Sequence, residues 1–332
     1  MRLCLAFCFV ALLHILFTSP INSECLALPQ VPDSVVGEIS YVRVKPGESL
    51  LDIARQFGIG YDQILRANPK LNRWIPDVGA LVTIPHLYIL PGSTRRGIVL
   101  NIAELRLYFY PPHRQKESAV VITYPVSIGR MDWRTPLGQT SVVEKIRDPS
   151  WRPPPSIRLE HAIEGEILPD IIAGGAEDNP LGLFALRLGF RSHLIHGVDE
   201  RKAYGIGMRV THGCVRMYPE DIEALFSMVS VGTPVLIIDE PVKLGQLGDK
   251  LFIEVHQPLD GEDDEAPISS RVSPAKVLEQ ITQRLYRLGM GRTESSVQLD
   301  EEQIAEITNR GDGIPTEITN SALVIFEKNH LQ

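Results

Sequence analysis

The chain has 332 residues, enough for roughly two domains at about 150 residues each. Hydrophobic residues make up 44% and charged residues 22%, which excludes a chain disordered by composition and an integral membrane protein. Lys plus Arg number 33 against 41 Asp plus Glu, a net charge of −8, and a nucleic-acid protein would need the opposite balance on one face. The 25 Pro and 26 Gly fall mostly between candidate strands, as expected of β-rich modules joined by shaped loops.

Met1-Arg2 opens an apolar run over residues 3–17, interrupted only by His14 and broken by Ser19-Pro20. A basic start, an apolar stretch of this length and a polar break read as a secretory leader. A membrane span would want about 20 residues, so an uncleaved anchor is the alternative. Cys25 and Ala27 fill the small-residue positions of a cleavage site after Ala27, which makes residues 1–27 the signal peptide. Glu24 stands where a lipoprotein site needs a small residue. Of Cys4, Cys8, Cys25 and Cys214, the exported chain then keeps only Cys214, with no internal disulfide. A single thiol in an oxidising compartment must be buried or used.

Residues 41–45 alternate as a short strand and Pro46-Gly47 turns the chain. Ser49 caps a helix, with Asp52 three residues on as its capping-box partner. Leu50, Ile53, Ala54 and Phe57 share one helical face, and Gly58 ends it. Asp62 is expected to cap a second short helix carrying Ile64 and Leu65, which stops at Asn68-Pro69; residues 80–84 close as a strand. This strand–helix–helix–strand unit has no catalytic cluster. On Tyr41, the Pro46-Gly47 turn, Ile53-Ala54, Ile64, Asn68-Pro69 and the closing Leu-Val-Thr-Ile-Pro of 81–85, it resembles a LysM domain over 41–86. The resemblance implies binding of peptidoglycan glycan in a groove beside the first helix, near Gly47, Ser49, Leu50, Asn68 and Pro69. Turn, cap or core is the competing role for each.

Residues 97–102, 105–110 and 119–128 read as strands, rich in β-branched and aromatic side chains and punctuated by Pro111-Pro112 and Gly129. Arg134-Thr-Pro-Leu-Gly138 is a tight loop. Residues 147–180 show little periodicity and read as an extended loop that shapes a cleft. A strand end at 192–196, a short helix from Pro219 and a last strand at 233–238 follow. Strands and helices do not alternate, so a doubly wound sheet is excluded and a mostly β domain is expected.

Chemistry gathers at residues 194–197 (Leu-Ile-His-Gly) and 209–217 (Arg-Val-Thr-His-Gly-Cys-Val-Arg-Met). An imidazole can take a thiol proton and leave a nucleophilic thiolate. Gly213 permits a sharp turn, N–H groups over 213–215 can face an oxyanion, and Arg209 and Arg216 can hold a carboxylate. Acyl transfer through a thioester is the matching reaction. A metal site of His196, His212 and Cys214, helped by His193 or His161, competes with it, as does an inert structural cysteine; His161 and His193 are otherwise structural or surface residues.

Ile-His-Gly at 195–197, Thr-His-Gly-Cys-Val-Arg at 211–216, Ile128-Gly129, the Thr-Pro-Leu-Gly loop, Gly205 and Gly207 together resemble the L,D-transpeptidase catalytic (YkuD) domain over 95–240. With the leader and the LysM unit, the chain is similar to the periplasmic Gram-negative branch of that family. The fold implied is a mostly β, YkuD-like β-sandwich beside a small α+β LysM domain. The resemblance implies that Cys214 attacks the bond between meso-diaminopimelate and D-alanine of a tetrapeptide stem and passes the acyl group to an amine. His196 would be the base and His212 its electrostatic support. Gly213 and Cys214 N–H groups would form the oxyanion site; Arg216, Arg209, Gly197 and Thr211 would line the substrate site. No metal or organic cofactor is implied, and carbapenems would inhibit. The acceptor would be the C-terminal lysine of an outer-membrane lipoprotein, a second diaminopimelate or water.

Residues 241–332 read as a small α/β accessory region: a strand at 250–255 that would complete the catalytic domain, an acidic linker at 260–265, helices at 274–288 and 300–309, and a strand at 322–326.

Overall fold

The computed structural model of the chain describes residues 24–113, 118–130, 133–257, 272–287 and 300–318. The leader before Glu24, the acidic linker and the 322–326 strand lie outside the described residues.

A nine-stranded sheet carries the site. Its strands run in the order Glu24–Ala27, Val120–Pro125, Arg106–Tyr110, Gly97–Asn101, Pro234–Ile238, Gly138–Arg147, Phe184–Leu188, Leu194–His196 and Val215–Arg216. The ten-residue strand Gly138–Arg147 is its hinge. Residues 138–141 pair with Pro234–Ile238, the rest with Phe184–Leu188, and the register shifts between Val142 and Glu144. Such a bulge bends the strand and raises its twist, so the sheet curls on itself. Ser127 then bridges antiparallel to Arg216, bringing the two ends together. Leu100, Leu107 and Tyr124 from one half meet Leu186, Ile195 and Val215 from the other in a single core, with Ile222, Leu225 and Phe226 of the helix Pro219–Met228. Strands 97–101 and 106–110 are buried along their whole length, because Val36, Tyr88 and Leu90 cover their outer face. Burial on both faces explains their continuous apolar runs. The mostly β expectation holds.

Four expectations change. Glu24–Ala27, assigned to the leader, is an edge strand pairing with Val120–Thr123. The second LysM helix, Tyr61–Ala67, is capped by the Gly60 backbone, with Asp62 inside its first turn. The 147–180 segment contains the helix Pro155–Ile163, with Pro at its start, where a missing N–H costs nothing. The strand Lys250–Val255 joins Val242–Leu247 and Thr316–Glu317 in a separate three-stranded sheet, under the helices Pro274–Arg287 and Glu301–Arg310.

The LysM-like unit pairs Ile39–Arg43 with Leu81–Pro85 and buries Leu50, Ile53, Ile64, Val82 and Ile84. Ser49 and Asp52 form the expected capping box on Leu50–Gln56. The unit is docked on the sheet domain. Arg55 bonds Glu220 through two nitrogens at 2.8 Å and Glu200 at 2.8 Å. The Tyr61 N–H donates to the Ile206 carbonyl at 2.7 Å. A β-carbon on Gly207 (φ +94°) would stand 2.4 Å from Tyr61 N, so backbone meets backbone there. Arg106, buried in the sheet, donates to Thr123 and to Gln63 of the LysM-like unit and lies 4.5 Å over the Tyr88 ring.

The sheet domain, the C-terminal sheet and the connecting strand Tyr88–Ile89 meet at Lys243. Its buried ammonium lies 2.7 Å from Glu104 of the sheet domain and 2.8 Å from Glu254 of the C-terminal sheet, and donates to the Ile89 carbonyl at 2.7 Å. Glu254 is held below the usual carboxylate range, with Lys243 and His256 overcoming its burial. Removing one partner of a buried pair leaves a charge uncompensated and costs about 3–5 kcal/mol. Lys243→Met is therefore expected to lower unfolding stability by about that amount in urea titration; an unchanged midpoint would show that Lys243 does not join the units.

Candidate active site

The nucleophile candidate directly precedes a two-residue strand. Leu194–His196 and Val215–Arg216 run parallel, Ile195 opposite Val215 and His196 opposite Arg216. Side chains alternate along a strand. Ile195 and Val215 enter the core, which sends His196 and Arg216 to the other face, with Cys214 one residue before Val215.

Hydroxyl groups brace the turn ahead of it. Thr211 Oγ1 accepts the Gly213 N–H at 3.2 Å and donates to the Cys214 carbonyl at 2.5 Å. Thr135, from the Thr-Pro-Leu-Gly loop, donates to the Gly213 carbonyl at 3.1 Å and accepts the Gly129 N–H at 3.0 Å. Gly213 has φ +99°, and a β-carbon there would lie 3.3 Å from His193 Nε2. His193, read as structural or surface, thus abuts the cysteine turn.

Cys214 is half-buried and its thiol donates to the Ser192 carbonyl, with sulfur and oxygen 3.8 Å apart. Burial pushes the thiol above its ordinary pKa, against the opposing pull of the Leu194 backbone and Arg216. His196 is 3% exposed. Burial first, then the charge of Arg216, push its imidazole down to about 3. Its Nδ1 lies 2.6 Å from the Gly197 carbonyl. A carbonyl only accepts, so Nδ1 carries the proton, and the Leu181 backbone also bonds the ring and favours its protonated form. Thiol and imidazole are therefore both neutral at rest, and among the described residues the thiol proton is given to Ser192 rather than to His196.

His212 faces elsewhere. Its Nε2 lies 2.6 Å from Glu160 Oε2 and 3.4 Å from Arg130 Nη2, with the Trp133 ring 5.2 Å away edge-on. Arg130 Nη1 donates to Glu160 Oε1 at 2.8 Å. These contacts, Arg130 first, hold the Glu160 carboxyl at about 2. Glu160 comes from the helix Pro155–Ile163, hidden in the sequence behind three prolines and a single buried residue, Ile157. Arg130 directly follows Gly129 of a stretch already singled out, and only the fold shows its partner. His196, His212 and Cys214 do not converge as a ligand set; among the described residues the grouping that does is Glu104, Glu254 and His256, and the Lys243 ammonium is bonded to both its carboxylates.

The arginines separate. Arg216 faces Cys214 and Asp199, is pushed down by burial, and its Nε has no hydrogen-bond partner among the described residues. Arg209 reaches the Ile102 carbonyl at 3.5 Å, near Asp239 and Asp62. Gly197 packs where a β-carbon would meet Ile222 at 3.1 Å. Of the glycan candidates, Leu50 is wholly inside the core and the Asn68 amide is spent on Ile64 and Thr83. Ser49 caps its helix; Gly47 and Pro69 are exposed.

A curled β domain thus carries a cysteine on a hydroxyl-braced turn and a buried histidine on the neighbouring strand. The chain belongs to the L,D-transpeptidase family: the YkuD L,D-transpeptidase catalytic domain matches residues 95–237 and the LysM domain matches 42–85. It is 35% identical to the probable L,D-transpeptidase YcfS of Escherichia coli over 90% of this chain and 89% of that one. It is 36% identical to the probable L,D-transpeptidase ErfK/SrfK of E. coli, covering 90% and 92%. Against the probable L,D-transpeptidase YbiS of E. coli it is 39% identical, covering 73% and 78%.

Thiolate is the form that alkylates. With the thiol raised from its ordinary 9.0, iodoacetamide labelling of the Cys214 peptide, followed by mass spectrometry, is expected to climb with pH beyond 9. A plateau at pH 6–7 would reveal a preformed thiolate–imidazolium pair instead.

Proposed function

We propose that the chain works in the periplasm as an L,D-transpeptidase on peptidoglycan tetrapeptide stems, with Cys214 as nucleophile and His196 as base. The observation that supports this reading is the register that sets His196 opposite Arg216, with Cys214 two residues earlier on the turn that leads into that strand. The sulfur attacks the carbonyl joining meso-diaminopimelate to D-alanine while its proton moves to His196. The C–N bond breaks, the proton passes to the departing amine of D-alanine, and a thioester remains on Cys214. An acceptor amine attacks the thioester, gives its proton to His196 and releases the sulfur. The thiol has to turn from Ser192 toward the imidazole for this, a tightening common on substrate binding.

The Cys214 N–H has no acceptor among the described residues and is the oxyanion donor we favour; the Gly213 N–H is already bonded to Thr211. The unpartnered edge of Arg216 suits a stem carboxylate better than Arg209, whose side chain is committed toward Ile102. The LysM unit holds the glycan along the loops of its exposed Gly47 and Pro69, beside the half-buried Ser49. We place the end of the leader ahead of Glu24, since Glu24–Ala27 pair with the sheet. The acceptor we favour, on the family resemblance of leader, LysM unit and catalytic domain in this order, is the C-terminal lysine of an outer-membrane lipoprotein.

Incubation with a disaccharide-tetrapeptide and excess lysine-ended peptide is expected to release D-alanine and form a mass-defined amide. Cys214→Ala is expected to form none. A diaminopimelate acceptor supplied in parallel measures 3→3 crosslinking. Tripeptide as sole product in excess amine would overturn the transfer reading in favour of hydrolysis.

A further inference from the structure

Arg130 and His212, two residues before the nucleophile in sequence, are anchored through their own backbones, while the carboxylate between them rides on a lightly packed helix. Arg130 is fixed through its backbone: its N–H donates to the Thr211 carbonyl at 2.9 Å, and its carbonyl accepts the Trp133 N–H at 3.0 Å. His212 belongs to the braced turn, two residues before Cys214. Glu160 bridges them with one oxygen each, at 2.8 Å and 2.6 Å, as a substrate carboxylate would. Yet its helix, Pro155–Ile163, buries only Ile157, with Leu159 64% and Ile163 79% exposed. Solvent-exposed ion pairs are weak, so a competing carboxylate can take the place of this one.

We infer that Arg130 and His212 form a carboxylate seat on the turn that leads to the nucleophile, that Glu160 fills it in the resting enzyme, and that a carboxylate of the donor stem displaces Glu160 during turnover. The seat rests on the transpeptidase reading for its ligand. Flanking the bond that is cut, a tetrapeptide stem offers two such groups, the carboxylate of the terminal D-alanine and the free one on diaminopimelate; Arg216 is suited to one and the seat to the other. The helix carrying Glu160 then acts as a plug that yields to the right charge, and a stem with that carboxylate masked binds without displacing it.

The test measures binding in full-length protein carrying Cys214→Ala, read from Trp133 fluorescence and calorimetry. The probes are a tetrapeptide with both carboxylates free, one amidated at D-alanine, and one amidated at diaminopimelate. Arg130→Gln is expected to weaken the free acid about tenfold, the scale of a charge-assisted bond, and to leave one amide unaffected; that amide identifies the carboxylate. Glu160→Gln is expected to tighten the free acid about two- to fivefold and not that amide. In the enzyme with Cys214 restored, the Glu160→Gln gain is read as a lower KM. Arg130→Lys, which keeps the charge, should recover part of the affinity and guards against a folding defect. Equal losses for all three probes in Arg130→Gln, or weakened or unchanged binding in Glu160→Gln, would overturn the seat. The expected binding pattern with no acyl-enzyme mass on Cys214 would leave the seat standing and sink the transpeptidase reading alone.

Discussion

The register of one very short pairing decides this site. Two residues, Val215 and Arg216, lie against Ile195 and His196. Because side chains alternate, a slip of one residue would carry the face of His196 and Arg216 into the core and the core face outward. Parallel pairing is slightly weaker per residue than antiparallel, and two residues of it would not hold alone. The register is therefore pinned from outside: by the Met217 N–H on the His196 carbonyl, by the reciprocal bonds of Ser127 and Arg216, and by the two threonine hydroxyls on the turn. The Thr-Pro-Leu-Gly loop matters because it supplies one of those hydroxyls.

Burial gives this pair its character. Desolvation disfavours whichever form is charged, so it raises the thiol and lowers the imidazole. Arg216 acts unevenly, easing the thiolate while opposing an imidazolium. A standing ion pair is thus disfavoured on both sides. The proton is best passed during bond formation, when the departing amine can accept it. Such a resting thiol is also a poor target for stray oxidants, since thiolate is the vulnerable form.

What the sequence revealed follows the range of the interactions. The capping box at Ser49 and the two C-terminal helices are written in neighbouring residues. Asp62 misled because a polar side chain at a helix start usually caps, whereas here Gly60 lies against Gly207 and its backbone serves. The helix at 155–163 was hidden because it has almost no buried face to impose a period. Glu160, Arg130, Arg106 and Lys243 draw their meaning from partners tens of residues away, and no local pattern marks them. The strand at 250–255 shows the same limit: alternation identifies a strand but not the sheet it joins.

The contact of Gly60 with Gly207 has a mechanical meaning. Two modules joined by a tether explore a volume set by the tether's length. Here the backbones touch, with Arg55 clamped to Glu200 and Glu220 on one flank and Tyr218 bonded to Ile59 on the other. The LysM unit and the catalytic domain are therefore packed directly on one another rather than strung on a tether. The spacing between the two modules is engraved in the fold like the gap of a caliper.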